Sequence, residues 1–123
     1  MLYIESNNVI RLTRGDTAKL TVPIENDLDN SSYVMDERDT LTFTIKKSVK
    51  DNENLVQKVV TGSNNFHIKP EDTDSLPFGK YVYDVQLTTA GGDVYTVIEP
   101  TLFEILSEVT WCYTVAYLIK KEH

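Results

Sequence analysis

Apolar and polar positions alternate with a period of two along most of this chain, the signature of strands that turn one side to a core and the other to water. Ala18, Leu20, Val22 and Ile24 alternate with Lys19, Thr21, Pro23 and Glu25. A proline in that run has no N–H to give a ladder, which predicts an edge strand. Leu41, Phe43 and Ile45 alternate with Thr42, Thr44 and Lys46. Tyr81, Tyr83, Val85 and Leu87 alternate with Val82, Asp84, Gln86 and Thr88, and this run, dense in aromatic and β-branched side chains, is the strongest strand of the sequence. Shorter strands are predicted over residues 9–12, 55–60, 66–68, 94–98 and 102–106.

Turn chemistry falls between these runs. Arg14-Gly15-Asp16, residues 26–32, residues 51–54, Gly62-Ser63-Asn64, Pro77-Phe78-Gly79 and Ala90-Gly91-Gly92-Asp93 carry the residues that accept positive φ or cap a turn with a short side chain. Gly91-Gly92, set between two alternating runs, marks the clearest hairpin. No stretch carries a long apolar stripe at helical spacing. Residues 69–76 read as a single helical turn, because Pro70 suits a first turn and Glu71 and Asp72 favour its N-terminal end. Strands at this spacing predict an all-β fold, an immunoglobulin-like antiparallel β-sandwich of seven to eight strands with one short helical turn near residues 70–76. A short acidic turn delivering Tyr81 at the next strand matches the layout of a tyrosine corner, whose hydroxyl ties back to upstream backbone. The plainer reading of Tyr81 is an aromatic side chain packed like any other.

Length and composition narrow the function. At 123 residues, 41% apolar and 25% charged, the chain has the content of one folded domain. Residues 1–110 are assigned to the sandwich, and residues 111–123 to a C-terminal strand or arm, either separate or part of the same domain. A net charge of −7 disfavours nucleic acid and anionic membrane as partners. No apolar run approaches the roughly 20 residues of a membrane helix, and the first residues lack the basic and apolar regions of a signal peptide, so the chain is expected to be intracellular when made. Cys112 is the sole cysteine, which excludes an internal disulfide and a cysteine-based zinc site.

Candidate chemistry is sparse. His67 falls in a predicted strand and His123 at the terminus, and neither sits in a pattern of nucleophilic catalysis. No catalytic, cofactor or metal residue is assigned, and the chain is expected to be no enzyme. Asp27-Leu28-Asp29-Asn30 opens like a calcium loop, but Ser32 stands where that loop needs Gly and Arg38 where it needs Glu. A looser acidic site would draw on Asp27, Asp29, Asp36 and Asp39, against the ordinary reading of solvated acidic loops. Arg14-Gly15-Asp16 is read as turn material rather than an integrin ligand. The C-terminal segment is the exception: Trp111, Tyr113, Val115, Tyr117 and Ile119 share one face if extended. Three readings stand for it: one more strand of the core, a strand or arm pairing with a neighbouring subunit, and a short helix using Trp111, Val115, Leu118 and Ile119.

The runs Leu12-Thr13-Arg14-Gly15-Asp16-Thr17, Leu41-Thr42-Phe43-Thr44-Ile45-Lys46, Ile68-Lys69-Pro70-Glu71-Asp72-Thr73 and Gly79-Lys80-Tyr81-Val82-Tyr83-Asp84-Val85-Gln86-Leu87 follow one another in a familiar order. Together with Gly92-Asp93-Val94-Tyr95-Thr96-Val97-Ile98 and Phe103-Glu104-Ile105, they resemble the immunoglobulin-like domain of tailed-phage structural proteins, in particular the N-terminal domain of phage baseplate upper proteins. The likeness spans roughly residues 8–110. It implies a virion or prophage component, made in the bacterial cytoplasm and placed in a baseplate, tail or head appendage. Its partners would be other phage structural proteins or copies of itself in a homo-oligomer, with no cofactor and with Trp111, Tyr113, Val115, Tyr117 and Ile119 as interface candidates. The alternative is a carbohydrate- or ligand-binding sandwich that stacks its ligand on Tyr33, Tyr95 or Trp111.

Overall fold

Alternation becomes eight strands and one helical turn in the computed structural model, which describes residues 2–25 and 31–107. In chain order these are β1 (Leu2–Ile4), β2 (Ile10–Thr13), β3 (Ala18–Thr21), β4 (Thr40–Lys46), β5 (Val56–Thr61), β6 (Asn65–Ile68), α1 (Pro70–Thr73), β7 (Gly79–Thr88) and β8 (Val94–Leu106). Six of them form a sheet in the order β1-β2-β8-β7-β4-β5, and β3 with β6 forms a second, two-stranded sheet. The fold is all-β and sandwich-like. The succession β8-β7-β4-β5 over β3-β6 follows the G-F-C-C′ and B-E arrangement of immunoglobulin-like sandwiches.

The core is where the alternating faces meet. Leu41, Phe43 and Ile45 of β4 and Tyr81, Tyr83, Val85 and Leu87 of β7 are all buried, together with Ala18 and Leu20 of β3 and Phe66 and Ile68 of β6. Phe43 lies at its centre. Its ring stands 5.6 Å from Phe66 across the two layers, and 5.1 Å from Tyr83 and 6.3 Å from Phe103 within its own sheet. Such offset and edge-on pairs add specific ring attraction to the burial of area.

Two features differ from the sequence reading. The ladders are not all antiparallel: β2 runs parallel to β8, with Ile10 opposite Phe103 and Leu12 opposite Ile105. The strands predicted over residues 94–98 and 102–106 are one strand, β8. Register shifts against β7, between Tyr83 and Val85 and between Val85 and Gln86, absorb extra residues of β8. Pro100 falls in the first irregularity, the kind of place in a sheet where a residue without an N–H is tolerated. β1 was not anticipated, because a three-residue strand is too short to show a period.

Pro23 follows β3, and β3 pairs only with β6 among the described residues, so this run does lie at a sheet edge. In α1, Pro70 opens the helix and the Asp72 carboxylate accepts the Lys69 backbone N–H at 2.7 Å. No helix among the described residues is long and apolar enough to cross a membrane.

Candidate assembly surface

Polar groups inside this sandwich serve to tie chain segments together. Asp39 is 1% exposed and its carboxylate accepts three hydrogen bonds, from the Tyr33 hydroxyl at 2.5 Å, the Asp36 backbone at 3.0 Å and the Ala90 backbone at 2.9 Å. The Tyr33 hydroxyl, then those backbone N–H groups, hold the Asp39 carboxyl below its ordinary range against the opposing pull of burial. The same bond to Asp39 comes first among the causes that push the Tyr33 phenol upward. One carboxylate thereby fastens the approach to β4 onto the β7–β8 turn and fixes where β8 begins.

The opposite end is fastened by α1. Thr73 is fully buried, and its hydroxyl accepts the Gly15 backbone N–H at 2.9 Å. Gly15 has φ 81, a left-handed conformation that favours glycine, and a Cβ there would stand 3.0 Å from Asp74. The Arg14 guanidinium lies 4.2 Å over the Phe78 ring and donates to the Leu76 carbonyl at 3.4 Å. Arg14-Gly15-Asp16 is therefore a turn docked against the helix and the start of β7, with its cation laid on an aromatic face. The Tyr81 hydroxyl donates to the Pro77 carbonyl at 2.6 Å, returning to backbone upstream, and the Lys47 ammonium sits 4.7 Å over its ring. Tyr83 behaves similarly over a longer span: its hydroxyl reaches the Asn8 carbonyl at 2.5 Å, and burial pushes its phenol to about 12.

The outward face of the large sheet carries a shallow depression, lined by Thr44, Lys46, Val49, Val82, Tyr83, Asp84 and Pro100. Asp84 projects from the central strand β7, opposite Thr44 of β4. Burial raises its carboxyl above the ordinary range, partly offset by the Lys46 charge. The place brings together a carboxylate, an ammonium and a hydroxyl, without a histidine or thiol.

The rest of the surface is edges. β2 covers β8 only along residues 103–106, and the remainder of β8 has no partner on that side among the described residues. Val94 and Tyr95 are 58% and 56% exposed there, and Thr96 is exposed. The other edges are shorter or guarded. β1 has three residues, β3 carries Lys19 and ends before Pro23, β6 carries His67, and β5 carries Lys58. Lysines, prolines and shortness are the usual means of keeping a sheet edge from recruiting a neighbour.

The interface candidates Trp111, Tyr113, Val115, Tyr117 and Ile119 lie outside the described residues, as do Asp27, Asp29 and His123. Of the acidic group, Asp39 is consumed by its three hydrogen bonds, and the Asp36 carboxylate accepts the Arg38 backbone N–H at 2.9 Å. Among the described residues no three or more His, Cys, Asp or Glu side chains gather into a metal-binding group. His67 is exposed on β6, opposite Lys19. Of the rings considered as stacking platforms, Tyr33 packs against the core with its hydroxyl engaged, whereas Tyr95 stands free. The open edge of β8 had not been singled out from the sequence. Its signal was the uncharged run Val94-Tyr95-Thr96-Val97-Ile98, which by itself does not say which strand lies alongside. No protein-family model matches this chain, and no curated protein matches its sequence.

Proposed function

We propose that this chain is a non-enzymatic structural protein of a tailed-bacteriophage or prophage particle, acting in a baseplate, tail or head appendage through protein–protein contacts. The observation that carries the reading is a division of labour between inside and rim. Among the described residues no buried side-chain nitrogen or oxygen lacks a partner, and the polar groups of Asp39, Thr73, Tyr81 and Tyr83 are spent on holding segments together. What stays available is backbone along β8 with exposed apolar side chains beside it, which is equipment for adding a neighbouring strand.

The resemblance to phage structural domains supports the same reading. Its two most particular pieces hold frame positions here: Gly15 makes the left-handed turn that meets Thr73, and the run from Gly79 to Leu87 builds the central strand β7. Mass spectrometry of particles released from the bacterial strain carrying this gene provides the test. Peptides of this chain should follow capsid and tail proteins through a density gradient. Their absence from particles rich in those proteins overturns the proposal.

A further inference from the structure

Resting on the reading that this chain works through protein contacts, we propose that the depression around Asp84 receives an arginine side chain of a partner protein. The guanidinium meets the Asp84 carboxylate, and the stem lies against Val49, Val82 and Pro100.

Three observations select this place and this occupant. First, Asp84 is a half-buried carboxylate to which the chain itself brings no donor. Other sheltered carboxylates are met within the fold: Asp39 by the Tyr33 hydroxyl and two backbone N–H groups, Asp72 by Lys58 and the Lys69 backbone, and Glu104 by Arg11. Among the described residues no hydrogen bond or ion pair reaches the Asp84 carboxylate, and Lys46 acts on it by charge alone. A charge held out of water in this way gains most from a cation brought to it.

Second, the depression has the make-up that an arginine side chain needs. Val49, Val82 and Pro100 supply an apolar wall, and Thr44 and Asp84 supply acceptors. The β7–β8 ladder pairs Tyr83 with Thr101 and Val85 with Ile98, which leaves Asp84 opposite Glu99 and Pro100 without a one-to-one partner. Bulges of this kind re-aim side chains and interrupt the regular surface of a sheet. A side chain with an apolar stem and a planar fork of donors matches the wall and the carboxylate together.

Third, the surroundings suit a protein surface. The outward positions of β4 and β7 beyond the depression, Thr40, Thr42, Gln86 and Thr88, are uncharged. Interface cores are poor in charged residues other than arginine, and a net charge of −7 draws a basic partner from a distance. A shallow depression accepts a side chain presented from another surface, whereas small ligands are held in deeper clefts.

Two-dimensional NMR of the isotope-labelled chain at neutral pH and low salt tests the site. The probe is N-acetyl-arginine N-methylamide, compared with its uncharged citrulline analogue and with N-acetyl-lysine N-methylamide. The arginine probe should shift the amide signals of residues 44–46, 82–84 and 99, and the citrulline analogue should bind at least about fivefold more weakly. Asp84→Asn should weaken arginine binding by a similar factor. Lys46→Met keeps the stem, removes the neighbouring like charge and should tighten it. Asp93→Asn, which deletes a negative charge from the exposed β7–β8 turn, should leave it unchanged. Should Asp84→Asn lose its fold, Lys46→Met and the citrulline comparison decide. Equal binding of the arginine and citrulline probes, an equal response to the lysine probe, shifts elsewhere on the surface, or binding indifferent to Asp84→Asn or to Lys46→Met overturns the arginine site. Each of those results leaves the structural-protein reading standing, because that reading is judged by particle composition.

Discussion

Asp39 and Asp84 are two carboxylates with opposite consequences for stability. Asp39 has its carboxyl lowered by the Tyr33 hydroxyl and by backbone N–H groups, so the folded chain holds its proton less tightly than the unfolded one. Its contribution is complete above the unfolded value of 3.8 and is lost as pH falls through the lower folded value. Asp72 adds to the same acid limb: burial pulls its carboxyl up, but the bonds from Lys58 at 2.8 Å and the Lys69 backbone bring it down overall. Asp84, raised by burial, works the other way and favours the folded state as acid protonates it. In acid titrations of the melting temperature, Asp39→Asn should start lower at neutral pH and show a flatter decline below pH 4. Asp84→Asn should melt higher than the parent at neutral pH and decline more steeply. A parallel decline for all three proteins contradicts these assignments.

Among the elements, β4 and β7 were legible because each keeps strict alternation for its whole length, and every apolar position they predicted is buried. Removing the central ring should be severe: Phe43→Ala deletes contacts to Phe66, Tyr83 and Phe103 and should cost about 3–5 kcal/mol in urea unfolding, with a loss under 1 kcal/mol contradicting its central place. β8 was legible only in halves, since its irregularities shift the side chains out of phase and Pro100 reads as a break. The short tie of the Tyr81 hydroxyl to the Pro77 carbonyl was legible from the acidic turn before it, but the long-range ties between elements were not. Gly15 and Thr73 are 58 residues apart, as Asp39 and Ala90 are 51 apart, and no local pattern announces a bond over such a distance. Gly62 belongs to the same class: at φ 67, its absent side chain lets the Glu37 carbonyl approach, and a Cβ would stand 2.9 Å from that oxygen. Gly62→Ala should therefore destabilise by about 1–2 kcal/mol, read from the same unfolding curves, and a neutral result would mean that the Glu37 segment yields freely.

At the scale of the whole molecule, the account separates a frame that stays closed from an edge that stays open. β4 and β7 sit at the inside of the six-stranded sheet with ladders on both sides, and their inward residues fill the core. β8 has that security along residues 103–106 and, among the described residues, lacks it along residues 94–98. Local opening tracks such differences, because an amide exchanges when its own hydrogen bond opens or when it has none. The proposed structural role rests on this plan, in which buried polar side chains brace the frame. Residue-resolved hydrogen exchange measures both halves of that plan together. The amides of β4 and β7 should exchange slowest, and the amides of residues 94–96 that point away from β7 should exchange fast. Fast exchange in β4 and β7, or protection of those amides of residues 94–96 equal to that of β7, would contradict it.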